Sequence, residues 1–155
     1  MSRFKNLQKQ LGFFTAVSFY RKLKSGNLSN LRTGNLVHQF NLRNNPFDYA
    51  TFEEVILNEA YNIPFGFEPK FIIDGGGNIG LTACFFASKF PAAAIITIEP
   101  DTDNYNLLQL NCKAYANIQT LQCGIWKNDT HLKIENTHAG NNAFTVIETK
   151  EAGAD

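Results

Sequence analysis

The pattern of hydrophobic and polar positions changes from helical to strand-like near residue 70. Before that point, Thr51–Tyr61 places apolar side chains at helical spacing, with Thr51 and Glu54 in the arrangement of a helix-capping pair. The apolar stretch Leu11–Tyr20 predicts a short amphipathic helix that packs on the domain. Leu36–Leu42 alternates between apolar and polar residues and predicts a short strand.

After residue 70, short apolar runs alternate with helical segments. The runs predict strands buried in a parallel sheet, and they are Phe71–Ile73, Ala94–Ile98 and Ile118–Cys123. Ile79–Phe90 and Thr102–Tyr115 predict the connecting helices. This order is typical of an α/β fold with a doubly wound parallel sheet and right-handed crossovers.

The last part of the chain predicts a hairpin. His131–Glu135 and Ala143–Thr149 alternate as strands do, and Asn136–Asn142 between them suits a hairpin loop. Three parallel strands and one hairpin make a thin α/β sheet. We therefore expect a partial, C-terminally truncated domain over residues 36–155, preceded by a basic helical arm over residues 1–35. The open edge of the first strand then favours self-association.

The formal net charge of zero combines two regions of opposite sign. Residues 1–47 carry eight Lys and Arg side chains and no acidic one, whereas the remaining residues hold six basic and all 14 acidic side chains. We interpret the basic arm as packed on its own domain or solvated, with contact to a membrane surface as the alternative. A nucleic-acid partner is not expected, because aromatic residues do not interleave with the basic ones and no RNA-binding motif is present.

Neither the cysteines nor the histidines have the spacing of a metal site. Cys84, Cys112 and Cys123 form no CxxC pair, and the three histidines are scattered in sequence. We predict buried, reduced thiols, a cytoplasmic location and no metal.

The segment that most resembles a ligand site is the glycine loop Asp74–Gly80, between the first parallel strand and its helix. Its glycines match the dinucleotide pattern GxGxxG, and Glu99 follows 19 residues after Gly80, at the end of the second strand. Such a loop predicts a nucleotide-containing ligand at the carboxyl edge of the sheet. On spacing alone, NAD and an oxidoreductase function remain open.

Asp74 favours a different cofactor. A carboxylate about 4 Å from a pyrophosphate would cost about 4 kcal/mol at a surface-like dielectric, before screening. S-adenosylmethionine instead carries an ammonium and a sulfonium, which Asp74 would attract, and a ribose whose hydroxyls suit Glu99. Helix capping is the alternative role for Asp74, and we expect Asp101 to cap the following helix rather than to bind ligand.

Three stretches resemble the FkbM family of S-adenosylmethionine-dependent methyltransferases. They are Phe71–Gly80 (FIIDGGGNIG), Ile96–Asp101 (ITIEPD) and Asn104–Asn111 (NYNLLQLN). The family loop typically reads IDxGANIG, so Gly77 stands where alanine is usual. Asp48–Tyr61 and Gly124–Asp129 are also similar, and the resemblance covers about residues 36–150. It implies the Rossmann-like sheet of class I methyltransferases.

The resemblance also implies roles for individual residues in a cofactor half-site. The methionine-side loop would comprise Asp74, Gly75, Gly76, Gly77, Asn78 and Gly80. Glu99 would accept the ribose hydroxyls, with Asn104 a weaker contact. The adenine would lie beside Pro100, Gly124 and Ile125.

Members of the family mostly methylate hydroxyl oxygens, so a small-molecule or glycan hydroxyl is the expected acceptor. The family's next acidic, glycine-containing strand has no match in this sequence, and no catalytic residue is predicted. The alternative to an active methyltransferase is a non-catalytic remnant that binds the cofactor.

Overall fold

The computed structural model describes residues 3–134 and 146–149. Its helices and strands, in chain order, are α1 (Arg3–Leu11), α2 (Phe13–Ser25), α3 (Pro46–Phe52), β1 (Phe71–Gly75), α4 (Leu81–Lys89), β2 (Ala94–Ile98), α5 (Thr102–Cys112), β3 (Ile118–Leu121), β4 (His131–Ile134) and β5 (Val146–Thr149). A single π-helical turn, Glu53–Leu57, continues α3.

Three parallel strands form the main sheet in the order β1-β2-β3. Helix α4 connects β1 to β2, and α5 connects β2 to β3; both helices contact the sheet and each other. Ile95 and Thr97 are buried beneath this helical layer, whereas Phe71 and Ile73 on the opposite face are exposed. The prediction that Phe71–Ile73 is buried on both faces is therefore wrong, because α4 and α5 cover one face of the sheet. The α/β fold class, a partial Rossmann-like sheet, is therefore confirmed.

The C-terminal strands form a separate antiparallel pair. β4 pairs with β5, with Ile134 opposite Val146. This pairing confirms the two predicted strands within the described residues. The predicted loop Asn136–Asn142 lies outside the described residues.

The basic arm is helical and packs into the same core as the sheet. Gly12 has a positive φ of 77° and separates α1 from α2, so that the apolar stretch Leu11–Tyr20 turns at its start. Leu7, Ala16 and Phe19 are buried, and the Phe19 ring stacks on Phe52 with 4.6 Å between centroids. Packing of the predicted amphipathic helix is thus confirmed.

The prediction of a strand over Leu36–Leu42 is wrong. Only one antiparallel bridge forms there in the described chain, between Leu31 and Phe40. The alternation instead reflects burial of Leu36, Phe40 and Leu42 in the core. A strand requires a continuous hydrogen-bonding neighbour, and this segment has a single bridge in place of a ladder.

The predicted start of the next helix is also wrong. Asn45 caps α3 by accepting from the Asp48 backbone N–H at 2.8 Å, and Pro46 occupies the first turn. Thr51 lies inside the helix, where its hydroxyl donates to the Phe47 carbonyl. The helical segment ends at Leu57 rather than Tyr61, because Glu59 adopts a positive φ.

Candidate functional site at the carboxyl edge of the sheet

The loop after β1 folds across the ends of two strands. The backbone N–H groups of Gly76 and Gly77 both donate to the Ile98 carbonyl, at 2.9 and 2.8 Å. Gly76 and Gly80 have positive φ values of 80° and 83°, which glycine adopts without strain. The loop therefore ties the carboxyl end of β1 to that of β2.

The glycines of this loop serve two different purposes. A Cβ on Gly77 would collide with Thr97 Oγ1, and one on Gly80 would lie 3.0 Å from Cys112 Sγ and 3.2 Å from Leu108 Cα. These two glycines permit close packing of α5 and β2 beneath the loop. Gly75 and Gly76 are exposed, and a Cβ on Gly76 would meet no atom within 4 Å. Space for a ligand is thus found beside Gly76.

Asp74 lies at the end of β1 with one side of its carboxylate engaged. Thr97 Oγ1 donates to Asp74 Oδ2 at 2.9 Å. Burial raises the pKa of Asp74, and the Thr97 hydrogen bond opposes this shift. Among the described residues no cation pairs with Asp74. Asp74 does not cap α4, because Gly80 occupies the N-cap position without a side-chain hydrogen bond, so the capping alternative is wrong.

Glu99 follows β2 and is held much more tightly. It is only 4% exposed, and its two oxygens accept from the backbone N–H groups of Asn78 (2.8 Å) and Asp101 (3.0 Å). Burial raises the pKa of Glu99, while these hydrogen bonds and one from the Asn104 side chain lower it. A carboxylate has about four lone-pair sites, so these three hydrogen bonds leave one site for a ligand hydroxyl.

Behind Glu99 stands a polar chain that the sequence reasoning missed. The Asn104 Oδ1 atom accepts from Arg43 Nη2 at 2.7 Å, and Arg43 forms an ion pair with Asp48 at 2.8 Å. Asp48 is 1% exposed and also accepts from the Arg43 backbone N–H. The sequence contained a signal for the Arg43–Asp48 pair, because Asp48 is the first acidic residue of the chain and follows Arg43 by five positions.

Asp101 caps α5 as predicted, by accepting from the Asn104 backbone N–H at 2.8 Å. Asn104 is itself 1% exposed and faces Arg43 and Glu99. The structure therefore places Asn104 behind Glu99 rather than at the open edge, and a direct contact between Asn104 and the cofactor stays a prediction.

Asn78 contains a buried acceptor with no partner. Its backbone has a positive φ of 48°, and its side-chain Nδ2 donates to Thr51 Oγ1 at 3.1 Å. The Asn78 Oδ1 atom is buried without a hydrogen bond. Since unpaired buried acceptors are costly, this atom marks a place where a ligand donor would be favourable.

Of the three residues predicted beside adenine, Gly124 and Ile125 lie in the turn after β3, and Pro100 follows β2. Ile125 is exposed and lies over Gly75, where a Cβ would come within 2.7 Å of Ile125 Cδ1. Gly124 is packed against Leu132 of β4. Pro100 and Gly124 both line an open cleft of about 1080 Å³ between the sheet edge and the hairpin.

Comparison with known proteins supports one enzyme class. No protein-family model matches the chain. The chain is 29% identical over 85 residues to "Methyltransferase 1" of Beauveria bassiana (strain ARSEF 2860), a match that covers 53% of this chain and 34% of that protein. It is 32% identical over 77 residues to "Methyltransferase sdnD" of Sordaria araneosa, which covers 48% of this chain and 30% of that protein. The chain is similar to methyltransferases.

One solved structure also matches part of the chain. The methyltransferase FkbM from Methylobacillus flagellatus KT, determined at 2.20 Å resolution, matches 81% of this chain and 32% of its own, with 18% sequence identity and a TM-score of 0.39. The matched segments span about a third of the length of the curated methyltransferases. The sequence identity to the two curated methyltransferases confirms the predicted resemblance to methyltransferases.

Other predicted features of this methyltransferase-like chain have mixed outcomes. Cys84 and Cys112 are buried with 3.9 Å between their sulfur atoms, whereas Cys123 is exposed, contrary to prediction. The neighbouring Cys112 thiol and burial raise the pKa of Cys84. The described residues contain no His, Cys, Asp and Glu grouping suited to a metal ion. Within them, every helix is too short or too polar to cross a bilayer.

Proposed function

We propose that this chain forms the S-adenosylmethionine half-site of a methyltransferase. The observation that carries the proposal is the placement of two carboxylates, Asp74 and Glu99, at the ends of adjacent parallel strands on either side of a glycine loop. Ligands of open α/β sheets bind at this edge. The similarity to curated methyltransferases supports the reaction class.

The residues present fit this cofactor. Asp74 has no cationic partner among the described residues, and the buried Asn78 Oδ1 atom has no donor. Both suit the ammonium of the methionine part. Glu99 keeps a lone-pair site that suits a ribose hydroxyl. The charge of Asp74 disfavours the pyrophosphate of NAD, which remains the lesser alternative.

In the proposed function, the bound cofactor supplies the methyl group, and the chain positions it. Asp74 and Asn78 hold the methionine end, while Glu99 orients the ribose. Pro100, Gly124 and Ile125 form the adenine side, and Gly76 leaves room for close approach. Correct placement of two reactants supplies much of the rate of such a displacement. We propose a small-molecule or glycan hydroxyl as the acceptor.

Calorimetric titration with S-adenosylhomocysteine tests the half-site. We expect the wild-type chain to bind and Asp74→Asn to bind at least about tenfold more weakly, because a charge-assisted contact to the ammonium is lost. Glu68→Gln is the matched control, since it removes an exposed carboxylate that does not line the cleft beside Pro100 and Gly124 and should leave binding unchanged. Binding of NAD by a folded chain that ignores S-adenosylhomocysteine would overturn the proposal.

A methyl-transfer assay then separates an active enzyme from a binding remnant. Incubation with labelled S-adenosylmethionine and a panel of hydroxyl compounds should label one acceptor class if the chain is active. Cofactor binding without labelling of any acceptor would favour the non-catalytic alternative.

A further inference from the structure

The corner between α1 and α2 presents two aromatic rings to solvent. Phe13 and Phe14 are 55% and 87% exposed, and their rings meet edge to face with 5.6 Å between centroids. They follow Gly12, where the chain turns. Phe19 of the same helix is buried in the core. We call the exposed pair Phe13–Phe14 the aromatic tip.

Basic residues precede and follow the aromatic tip along the chain. Lys9 lies in the last turn of α1, directly before the corner. Arg21 follows Phe14 by seven residues, which places both on one face of α2, about two turns apart. Phe14, Ser18 and Arg21 are all exposed, so this face is in contact with solvent. Residues 1–47 contain no acidic side chain to neutralise it.

A groove beside α2 repeats this combination of apolar and cationic groups. It has a volume of about 350 Å³, and its lining includes Phe14, Ser18, Lys22 and Arg32. The Lys22 ammonium is oriented by the carbonyl oxygens of Ser29 and Asn30. An aromatic ring and two cations therefore border one depression in the surface.

We propose that the aromatic tip and the basic face of α2 dock on an anionic phospholipid membrane. The two rings would enter the boundary between headgroups and acyl chains, while Lys9, Arg21 and Arg32 meet lipid phosphates. Binding to a membrane interface strengthens with the apolar area that enters it and with attraction to anionic lipids, and the rings and cations supply these two contributions. A convex pair of rings suits a deformable layer, whereas a protein partner would need a pocket of matching shape. The proposal is independent of the cofactor half-site.

Vesicle co-sedimentation of the whole chain tests this proposal. With vesicles of phosphatidylcholine containing about 30% phosphatidylserine, we expect binding at least about tenfold tighter than to pure phosphatidylcholine. Raising the salt from about 0.15 M to about 0.5 M should weaken that binding, since surface charges are screened. The double variant Phe13→Ser/Phe14→Ser should lose at least about tenfold in affinity, because both rings leave the interface.

The matched control is Phe67→Ser. Phe67 is 69% exposed but lies outside the basic arm, so its replacement should leave vesicle binding unchanged. Arg21→Gln should weaken binding to the vesicles that contain phosphatidylserine and leave binding to pure phosphatidylcholine vesicles unchanged. Circular dichroism verifies that each variant retains its helices, as expected for exposed positions.

Three outcomes would overturn the proposal. The first is no sedimentation with anionic vesicles. The second is an equal loss in Phe67→Ser, which would indicate general stickiness. The third is a self-association that depends on Phe13 and Phe14 in a chain that ignores vesicles, which would make a second copy the partner.

Discussion

The carboxyl ends of β1 and β2 lie side by side but are built differently. Asp74 at the end of β1 has one side-chain partner, Thr97, and is followed by two exposed glycines. Glu99 after β2 is almost fully buried, with both oxygens bound by backbone N–H groups. One acid is left available, and the other is held in place.

This difference separates two tasks of a nucleotide site. A group that meets a cation benefits from being unpaired until the ligand arrives, because no existing ion pair must then be broken. A group that selects a hydroxyl benefits from fixed orientation, which lowers the entropic cost of binding. In this chain the fixed orientation extends through Asn104 and Arg43 to Asp48, well outside the sheet.

The largest expected effect is at the far end of that chain. Asp48→Ala should lower the free energy of unfolding by about 3 kcal/mol, because it leaves Arg43 without its buried carboxylate partner. Urea denaturation measures this. The exposed Asp103→Asn control should change stability by less than about 0.5 kcal/mol. A loss below about 1 kcal/mol for Asp48→Ala would show that the β2 end is not braced in this way.

Gly77→Ala should have the next largest effect, a loss of about 2 kcal/mol, because the added methyl group collides with Thr97 Oγ1. The same substitution at Gly34, where a Cβ would meet no atom within 4 Å, is the control. Thr97→Ala introduced together with Gly77→Ala should recover part of the loss. Strictly additive losses in urea denaturation would contradict direct contact between residues 77 and 97.

Both acids should make the free energy of unfolding depend on pH. Burial raises the pKa of both Asp74 and Glu99 in the folded state. Above about pH 4, where unfolded carboxyl groups ionise, the folded chain binds more protons than the unfolded one. The contribution of each acid to stability therefore falls as the pH rises to its folded pKa.

Denaturation at several mildly acidic pH values tests the contribution of each acid. Asp74→Asn should make the free energy of unfolding depend less on pH, with little loss of stability, since the amide oxygen can still accept from Thr97. Glu99→Gln should reduce this dependence as well but also lower stability, because two backbone donors lose their charged acceptor. An unchanged pH dependence in both variants would contradict raised pKa values.

The smallest expected effect on stability concerns the open face of β1. Ile73 is exposed, so Ile73→Thr should change the free energy of unfolding by about 0.5 kcal/mol or less. If the edge of β1 mediates self-association, as we predict, the variant should dissociate more readily in light-scattering measurements. Ile95→Thr, on the buried face of β2, should instead cost more than about 1 kcal/mol.

The candidate site was partly accessible from the sequence. The loop Asp74–Gly80 and the acid at Glu99 follow from turn chemistry at strand ends, which is local information. The separate roles of the glycines do not, because a glycine signals close approach without showing what approaches. At Gly77 and Gly80 the neighbours are protein atoms, whereas the space at Gly76 is open.

Sequence periodicity by itself determined the order of β1, α4, β2, α5 and β3, since each element buries a face at its own spacing. Tertiary structure alone decided that Leu36–Leu42 makes no ladder, whereas the Asn45 cap followed by Pro46 is a local signal that the sequence contained. The tertiary structure also decided that Arg43 reaches Asn104, 61 positions away. Such outcomes depend on which neighbours fold against a segment, and a one-dimensional pattern does not contain them.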